Sequence, residues 1–399
     1  MGCQGCNKGC NKTTACTCAC GTKNISDNCN NCVNQESIAF SGLCDVTQFE
    51  LDNSTWKEID VMGTIGVPDE KYSIEDIDSI NTKVEILNKK VIETPIGINL
   101  EGQTITGFKL IIEGLLCVAV SYVALVPEQS VHTFHGQIPF SLFIVLPQLI
   151  PGYDDIDFLI DACITNVCVK KICERTVDIA ACVVLKATDI PGGGCTGGFF
   201  DNSGLECSGN VGFSLCKEES CFVDAPVITG VCSAEKLTGL LDEGGVTWTE
   251  ISMPEVLTIP DAKPDVLQIL SVVSRVEIMC QKVIATPDSA NPESETTTIT
   301  NYEGKSLTGF KLLIHGLLRQ RITYASDTPC KSVHSAHYDV PVCTYIVLPE
   351  ETDFTDKFEI VSCIEDLYAC ALNCRQIFKN TTLFFKAVKL DCNNGNEGE

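Results

Sequence analysis

The sequence predicts a mainly β protein made of two tandem homologous β-sandwich-like domains with one short helix each, together with a cysteine-rich irregular arm and connector. Three observations predict this architecture. A long segment of the chain occurs twice, most apolar stretches are rich in Val, Ile, Phe and Tyr, and the 26 cysteines are densest outside the repeated parts. An apolar fraction of 44% is enough to fill two cores, so we expect the chain to fold.

The internal repeat is the strongest signal. Residues 101–116 (EGQTITGFKLIIEGLL) and 303–318 (EGKSLTGFKLLIHGLL) are identical at 11 of 16 positions, and Trp56 pairs with Trp248 further upstream. The offset between the copies is 192 residues early and 202 in the middle, so ten residues are inserted in the second copy, within 288–300. We expect this polar insertion to form a surface loop.

The repeat divides the chain into five parts. These are a cysteine-rich N-terminal arm (1–45), a first β domain (46–190), a Gly/Cys-rich connector (191–245), a second β domain (246–392) and a polar tail (393–399). Each copy has the size of an ordinary domain.

Most of each copy has the pattern of β-strands. In the first copy, partial two-residue alternation bounded by Gly and Pro predicts strands within 82–95, 106–125, 141–147, 160–173 and 177–187. Only YSIEDIDSI (72–80) and its counterpart PDVLQILSV (264–272) have helical spacing, and each is long enough for about two turns. We therefore expect one short helix in each domain.

Charge and hydropathy argue against nucleic acid and membranes as partners. The net charge is -25, from 53 acidic and 28 basic residues, and no basic run offers a footprint for nucleic acid. The longest apolar run, 110–126, contains Glu113, and its counterpart contains Arg319 and Arg321. Such residues are costly in a bilayer, so we expect strands and no membrane anchor.

The cysteines are the next feature to explain. The sequence begins MGCQGCNKGC, without the charged and apolar regions of a secretory signal, so we expect no signal peptide and synthesis in a reducing cytoplasm. Either the thiols bind metal or they oxidise later. The first interpretation would place soft metal ions in the cluster from Cys3 to Cys32, because closely spaced thiolates converge on one ion. The second requires no metal.

Cross-linking is the favoured interpretation of the dense segments. Cys16, Cys18 and Cys20 in an extended segment would face one side, ready to meet a neighbouring subunit. The candidates for intermolecular disulfides are Cys3, Cys6, Cys10, Cys16, Cys18, Cys20, Cys29, Cys32, Cys195, Cys207, Cys216 and Cys221. Cys163 and Cys363, which occupy equivalent strand positions, are expected to be domain-internal or buried.

No pattern predicts catalysis. Each copy contains His-x-x-His, as His132 with His135 and His334 with His337, but residues three apart on a strand point to opposite faces. A structural turn histidine is the expected role. No nucleophile and base recur together in both copies, so we expect neither an enzyme nor a cofactor.

The order of short motifs carries a family resemblance. Each copy runs through a Pro-Asp turn, a Thr-Pro turn, a TGFKL strand, a Ser-Val-His turn and an IVLP strand. This order resembles the SPOCS domain of SipL-like clostridial spore proteins, over nearly the full length of both copies. The resemblance implies a non-enzymatic role in assembling the spore envelope. The cysteine-rich segments resemble those of CsxA-type exosporium proteins and of spore appendage subunits.

Together these observations predict a structural self-assembling protein of the bacterial spore outer layer, in an exosporium lattice or an appendage filament, cross-linked by intermolecular disulfides. We expect other copies of itself and other spore coat or exosporium proteins as partners. Its expected location is the spore surface, after synthesis in the mother-cell cytoplasm, where thiols would oxidise once that cell lyses. Two alternatives stay open: a thiol-rich metal-binding protein, and a non-enzymatic adaptor that recruits other coat proteins.

Overall fold

The computed structural model describes residues 38–51, 55–147, 157–190, 225–241, 245–288 and 298–390. The first domain contains seven strands: β1 (Ala39–Ser41), β2 (Trp56–Gly66), β3 (Ile74–Ile98), β4 (Thr104–Ala124), β5 (Val131–Val145), β6 (Asp157–Cys173) and β7 (Thr176–Ile190). They form two open sheets with strand orders β1-β3-β4-β5 and β2-β7-β6.

The second domain repeats this arrangement. Its elements are β8 (Val227–Thr229), α1 (Ala234–Thr238), a 3-10 turn (Gly239–Leu241), β9 (Trp248–Thr258), β10 (Val266–Ala285), β11 (Ile299–Thr300), β12 (Ser306–Leu307), β13 (Phe310–Ser326), β14 (Val333–Val347), β15 (Phe358–Ala371) and β16 (Gln376–Lys389). The two main sheets have the orders β8-β10-β13-β14 and β9-β16-β15. The tandem mainly β architecture predicted from the repeat is therefore confirmed.

Each core lies between the two sheets of its domain. In the first domain, one face of β4, with Leu110 and Ile112, packs against Val61 of β2 and Val183 of β7. Leu312 of β13 and Phe385 of β16 contribute to the corresponding core of the second domain. The burial of these branched and aromatic side chains between facing sheets is the main source of stability.

The predicted helices are wrong. Residues 72–80 lie mainly in β3, and 264–272 lie mainly in β10. In β3 the register shifts between Ile74 and Asp76 and again between Ile77 and Ser79, which marks two bulges. Each bulge adds one residue to the two-residue alternation, so Ile74, Ile77 and Ile80 all face the core at the three-residue spacing of a helix. The second domain has bulges at the same places in β10.

A short parallel strand that the sequence did not predict precedes the long strands of each domain. The first, β1, pairs with β3 from within the predicted arm, and β8 pairs with β10 from within the predicted connector. The chain then turns at Gly42 (φ 86°) and Gly230 (φ 108°), where a Cβ would lie only 1.8 Å and 1.9 Å from a carbonyl oxygen of the neighbouring strand. Only glycine fits at both positions. The described helix α1 follows β8 and is capped by Ser233.

The ten-residue insertion in the second domain interrupts a strand pairing that is continuous in the first domain. In that domain β3 pairs with β4 as far as Ile98, whereas β10 ends at Ala285 and pairing resumes in β11 and β12. Most of the insertion lies outside the described residues.

One arginine in each domain holds the turn of the last hairpin against the loop after β2 or β9. Arg375 donates to the carbonyl oxygens of Ile259 (2.7 Å), Pro260 (2.9 Å) and Lys263 (2.7 Å). Arg175 occupies the same position and donates to the carbonyls of Val67, Pro68 and Lys71. The guanidinium fork satisfies three backbone acceptors at once.

We expect Arg375→Ala to lower the free energy of unfolding by about 1 to 3 kcal/mol, because the change leaves several carbonyls without a donor. Arg375→Lys should recover little of this loss, since an ammonium group cannot span the three acceptors. Denaturant unfolding of the full chain measures both variants. An alanine variant as stable as the wild type would show that water replaces the arginine without cost.

Candidate assembly surfaces

The twelve cysteines predicted to form intermolecular disulfides lie outside the described residues, as does the alternative metal cluster from Cys3 to Cys32. Their roles stay predictions. Within the described ranges, no three His, Cys, Asp or Glu side chains come together as metal ligands.

Within the described residues, one cysteine pair in each domain links the start of the domain to its last hairpin. Cys44 pairs with Cys163 (Cα–Cα 5.3 Å) and Cys232 pairs with Cys363 (Cα–Cα 5.9 Å). The prediction that Cys163 and Cys363 are domain-internal is confirmed. Sequence analysis missed their partners, although the shared pattern Gly-x-Cys at 42–44 and 230–232 could have identified them.

Among the described residues, three thiols are exposed on the domains themselves. They are Cys173 at the end of β6, Cys280 on β10 and Cys330 between β13 and β14. A hydrogen bond from the Thr176 side chain, together with the backbone N–H of Arg175, lowers the pKa of the Cys173 thiol. A thiol with a lowered pKa forms the reactive thiolate more readily, so Cys173 is an additional candidate for cross-linking. Sequence analysis did not single it out because it lies outside the cysteine-dense segments.

The two domains contact each other face to face. One side of β4 packs inside the first domain, but Lys109, Ile111 and Glu113 on its other side are also fully buried. The outward face of the sheet β9-β16-β15 in the second domain covers them. We call this interface the domain contact. The equivalent strand β13 has no such cover in the described structure, and its outward residues from Lys311 to Arg319 are half-buried.

The centre of the domain contact is a buried charge cluster. The Nζ of Lys109 lies 2.9 Å from Oε1 of Glu250 and also contacts Glu365, and all three side chains are fully buried. Desolvation alone would lower the pKa of Lys109, but the two carboxyl groups raise it. Desolvation, followed by repulsion from Glu250, raises the pKa of Glu365 to about 8. The Glu365 carboxyl group therefore keeps its proton at neutral pH.

Next to the charge cluster lies a second buried carboxyl group. Glu113 accepts hydrogen bonds from Asn380 of the second domain and Asn88 of the first, both at 2.9 Å. Desolvation raises the pKa of Glu113 to about 7 despite these hydrogen bonds. The Oγ atoms of Ser141 and Ser252 lie 2.7 Å apart across the domain contact. The interface is thus polar and closely hydrogen-bonded at its centre.

We expect the protein to become less stable as the pH rises from about 5 to about 8. The pKa values of Glu113 (about 7) and Glu365 (about 8) lie above their ordinary value of 4.5. The folded state therefore binds protons that the unfolded state has already released, and this advantage is lost as the pH passes the folded pKa values. The melting temperature should fall by about 2 to 4 °C for each kcal/mol lost.

The double variant Glu113→Gln and Glu365→Gln is the control, because it removes both titrations while the overall acidic charge remains. Its melting temperature should depend less on pH than that of the wild type. Lys57, whose pKa burial lowers to about 8, acts in the opposite direction only above that pH. Equal slopes for the variant and the wild type would show that these carboxyls do not cause the effect.

An aromatic cluster closes one end of the domain contact. Trp248 is 1% exposed and stacks on Phe384 with ring centroids 5.4 Å apart. Ile105 of the first domain packs into the same cluster, and Asn99 donates to the Trp248 carbonyl oxygen (2.8 Å). Trp56, the counterpart of Trp248 in the repeat, is 44% exposed.

The paired histidines have equivalent structural roles in both domains. The Nε2 of His132 lies 2.9 Å from Oγ of Ser130, and that of His334 lies 2.8 Å from Oγ of Ser332. Both rings also contact a buried tyrosine, which indicates a structural role. The predicted position in a turn is wrong, because His132 lies in β5 and His334 lies in β14. No helix in the described part of the chain has the length and apolar character needed to cross a membrane.

These features define a class of protein: tandem antiparallel β-sandwich domains that bind each other through their outer sheet faces. A family model described as SipL, SPOCS domain matches residues 73–172 and 265–372, which together are just over half of the chain. The chain belongs to this SPOCS-domain family and is a spore-associated protein. Neither the curated proteins nor the solved structures include a match to it.

Proposed function

We propose that this protein is a structural, self-assembling protomer of the bacterial spore outer layer, cross-linked by intermolecular disulfides. The observation that carries the proposal is the presence of exposed thiols on a SPOCS-domain body. Cys173, Cys280 and Cys330 are on the surface in addition to the two internal cysteine pairs. They, and the twelve cysteines predicted from the sequence, provide cross-linking points between protomers.

We also propose that the protein is not an enzyme and needs no cofactor. The buried cluster of ionisable groups, Lys109 with Glu250 and Glu365, is sealed between the domains, where a substrate has no access. Its charges compensate one another across an interface. This arrangement supports a role in holding domains together rather than in chemistry.

The proposed location is the exosporium, the coat or an appendage, after synthesis in the mother-cell cytoplasm. Thiols would stay reduced while protomers dock and would oxidise when the mother cell lyses. Oxidation would then make an existing non-covalent assembly resistant to denaturants. The proposed partners are other copies of this chain and other spore coat or exosporium proteins.

Electron microscopy of the full chain, expressed alone in a bacterial cytoplasm, tests the proposal. Samples are imaged before boiling and after boiling with and without reductant. We expect ordered arrays or fibres that survive boiling until reductant is added. A dispersed monomer under every condition would overturn the proposal in favour of an adaptor, and stoichiometric metal in protein purified under reducing conditions would favour the thiol-rich metal-binding alternative.

A further inference from the structure

The domain contact uses only one outer face of each domain. The first domain contributes the outer face of its β1-β3-β4-β5 sheet, and the second contributes the outer face of its β9-β16-β15 sheet. In the described structure, the two opposite outer faces stay largely uncovered. We call the outer side of β2-β7-β6 the acidic face and the outer side of β8-β10-β13-β14 the basic face. Because the domains are homologous, these two faces correspond to the two halves of the domain contact.

The first sign of a second contact is a tryptophan on the acidic face. Trp56 pairs with Lys186 across β2 and β7, as Trp248 pairs with Lys386 across β9 and β16. Trp248 is buried by the other domain, whereas Trp56 is 44% exposed. A large aromatic side chain at the position that forms the buried end of a known interface is typical of an interface anchor.

The basic face contains the counterpart of the buried lysine. Lys311 matches Lys109 in the repeat, and its Nζ lies 3.6 Å from the centroid of the Tyr345 ring, as that of Lys109 lies 4.5 Å from the Phe143 ring. Lys109 is neutralised by the other domain, whereas Lys311 is half-buried without a carboxylate within ion-pair distance in the described structure. Glu101 of the first domain reaches only the edge of this face, where it accepts a hydrogen bond from the Tyr345 hydroxyl (2.8 Å). Partial burial lowers the pKa of Lys311, and the charge of Glu101 offsets this only in part.

The acidic face supplies the matching carboxylate. Glu58 is exposed on β2 at the position that corresponds to Glu250 on β9. The position that corresponds to Glu365 is Thr165, so a contact between the two uncovered faces would bring together one lysine and one carboxylate. Such a pair is balanced in charge.

Other charges on the two faces have the same complementarity. Asp60 and Asp178 lie with Glu58 on the outer side of β2 and β7. His315 and Arg321 lie with Lys311 on the outer side of β13. Arg319, on the same face, is already neutralised by Glu277 (2.6 Å) and Asp339 (4.0 Å). Opposite charges on docking surfaces favour association and set its orientation.

We propose that the acidic face of one molecule docks on the basic face of a second copy and repeats the domain contact between molecules, with Trp56 as its anchor and Glu58 paired with Lys311. The inference rests on the proposed self-assembly and names the surfaces that carry it. Different faces meet in this contact, so each added molecule presents a new acidic or basic face. Growth is therefore head to tail, and gives a filament or, if the rotation closes, a ring.

A charge-swap experiment on the full chain tests the proposal. Glu58→Lys and Lys311→Glu are prepared separately and kept in reductant, so that only non-covalent assembly is measured by analytical ultracentrifugation and electron microscopy. For each variant alone, the fraction of protein in assemblies should be at least tenfold lower than for the wild type, because the variant presents like charges on both faces. An equimolar mixture should assemble again, since every contact in an alternating polymer of the two variants brings one lysine to one glutamate.

The matched controls are Glu128→Lys and Lys331→Glu, which reverse exposed charges in turns away from both faces and should assemble like the wild type. Wild-type assembly combined with undiminished assembly of both face variants would overturn the head-to-tail contact while leaving the proposed function intact. A wild-type chain that stays monomeric, with and without reductant, would overturn both. Loss of assembly in the single variants without recovery in the mixture would also reject the Glu58–Lys311 pair.

Discussion

Lys109→Ala should lower the free energy of unfolding by about 3 to 5 kcal/mol, because it leaves buried acidic groups without their cation. Glu250 and Glu365 both contact the Lys109 ammonium, and neither is accessible to water. Without the ammonium group, these acidic side chains would have no cation close to them between the domains. Denaturant unfolding measures the loss, and separate transitions for the two domains would show that their contact fails first.

Two controls separate the charge from the packing. Lys311→Ala removes the equivalent lysine of the second domain, which is half-buried, and should have a much smaller effect on unfolding. The triple variant Lys109→Met, Glu250→Leu and Glu365→Leu replaces the whole cluster with apolar side chains and should be close to the wild type or more stable. A triple variant as unstable as Lys109→Ala would show that the lost packing, rather than the unpaired charge, causes the damage.

Trp248→Ala should cost about 3 to 5 kcal/mol of unfolding free energy, as expected when a fully buried aromatic side chain is removed. The indole stacks on Phe384 and fills the space between Ile105 of the first domain and Leu241. The change creates a cavity in the domain contact and also removes apolar surface burial. Thermal unfolding of the full chain gives the measurement.

The repeat itself offers the matched control. Trp56→Ala changes the equivalent residue, which is 44% exposed, and should cost less than about 1 kcal/mol in the unassembled protein. If both variants lost stability equally, Trp56 would be buried in solution, and the distinction between a covered and an uncovered face would be wrong.

The sequence predicted the tandem β architecture because both copies preserve the same order of strands and turns. At residues 72–80 the sequence wrongly predicted a helix, because bulges in β3 give this strand the three-residue spacing of a helix. Residue spacing alone does not distinguish these cases, since both bring every third side chain to the core. The strand β1 was missed because it is only three residues long and pairs with a strand about forty residues away.

The domain contact was beyond prediction for a different reason. Lys109 has a counterpart at Lys311, so nothing in the repeated motif distinguishes the buried lysine from the half-buried one. The difference depends on which faces of the two domains meet. The acidic partners Glu250 and Glu365 come from strands far apart in sequence, and only one of the two has an acidic counterpart in the first domain.

The two internal cysteine pairs join residues that are far apart in sequence, and this affects when each disulfide can form during synthesis. Cys44 leaves the ribosome 119 residues before Cys163, and Cys232 leaves 131 residues before Cys363. Neither domain can complete its sheets until its last hairpin has been translated. Until then, the thiols of Cys44 and Cys232 could pair incorrectly with other thiols of the nascent chain. A reducing compartment protects such a nascent chain from mispairing, because incorrect bridges are not retained while folding selects the correct neighbours. The late oxidation that we propose would therefore be an advantage for each single molecule as well as for the proposed assembly.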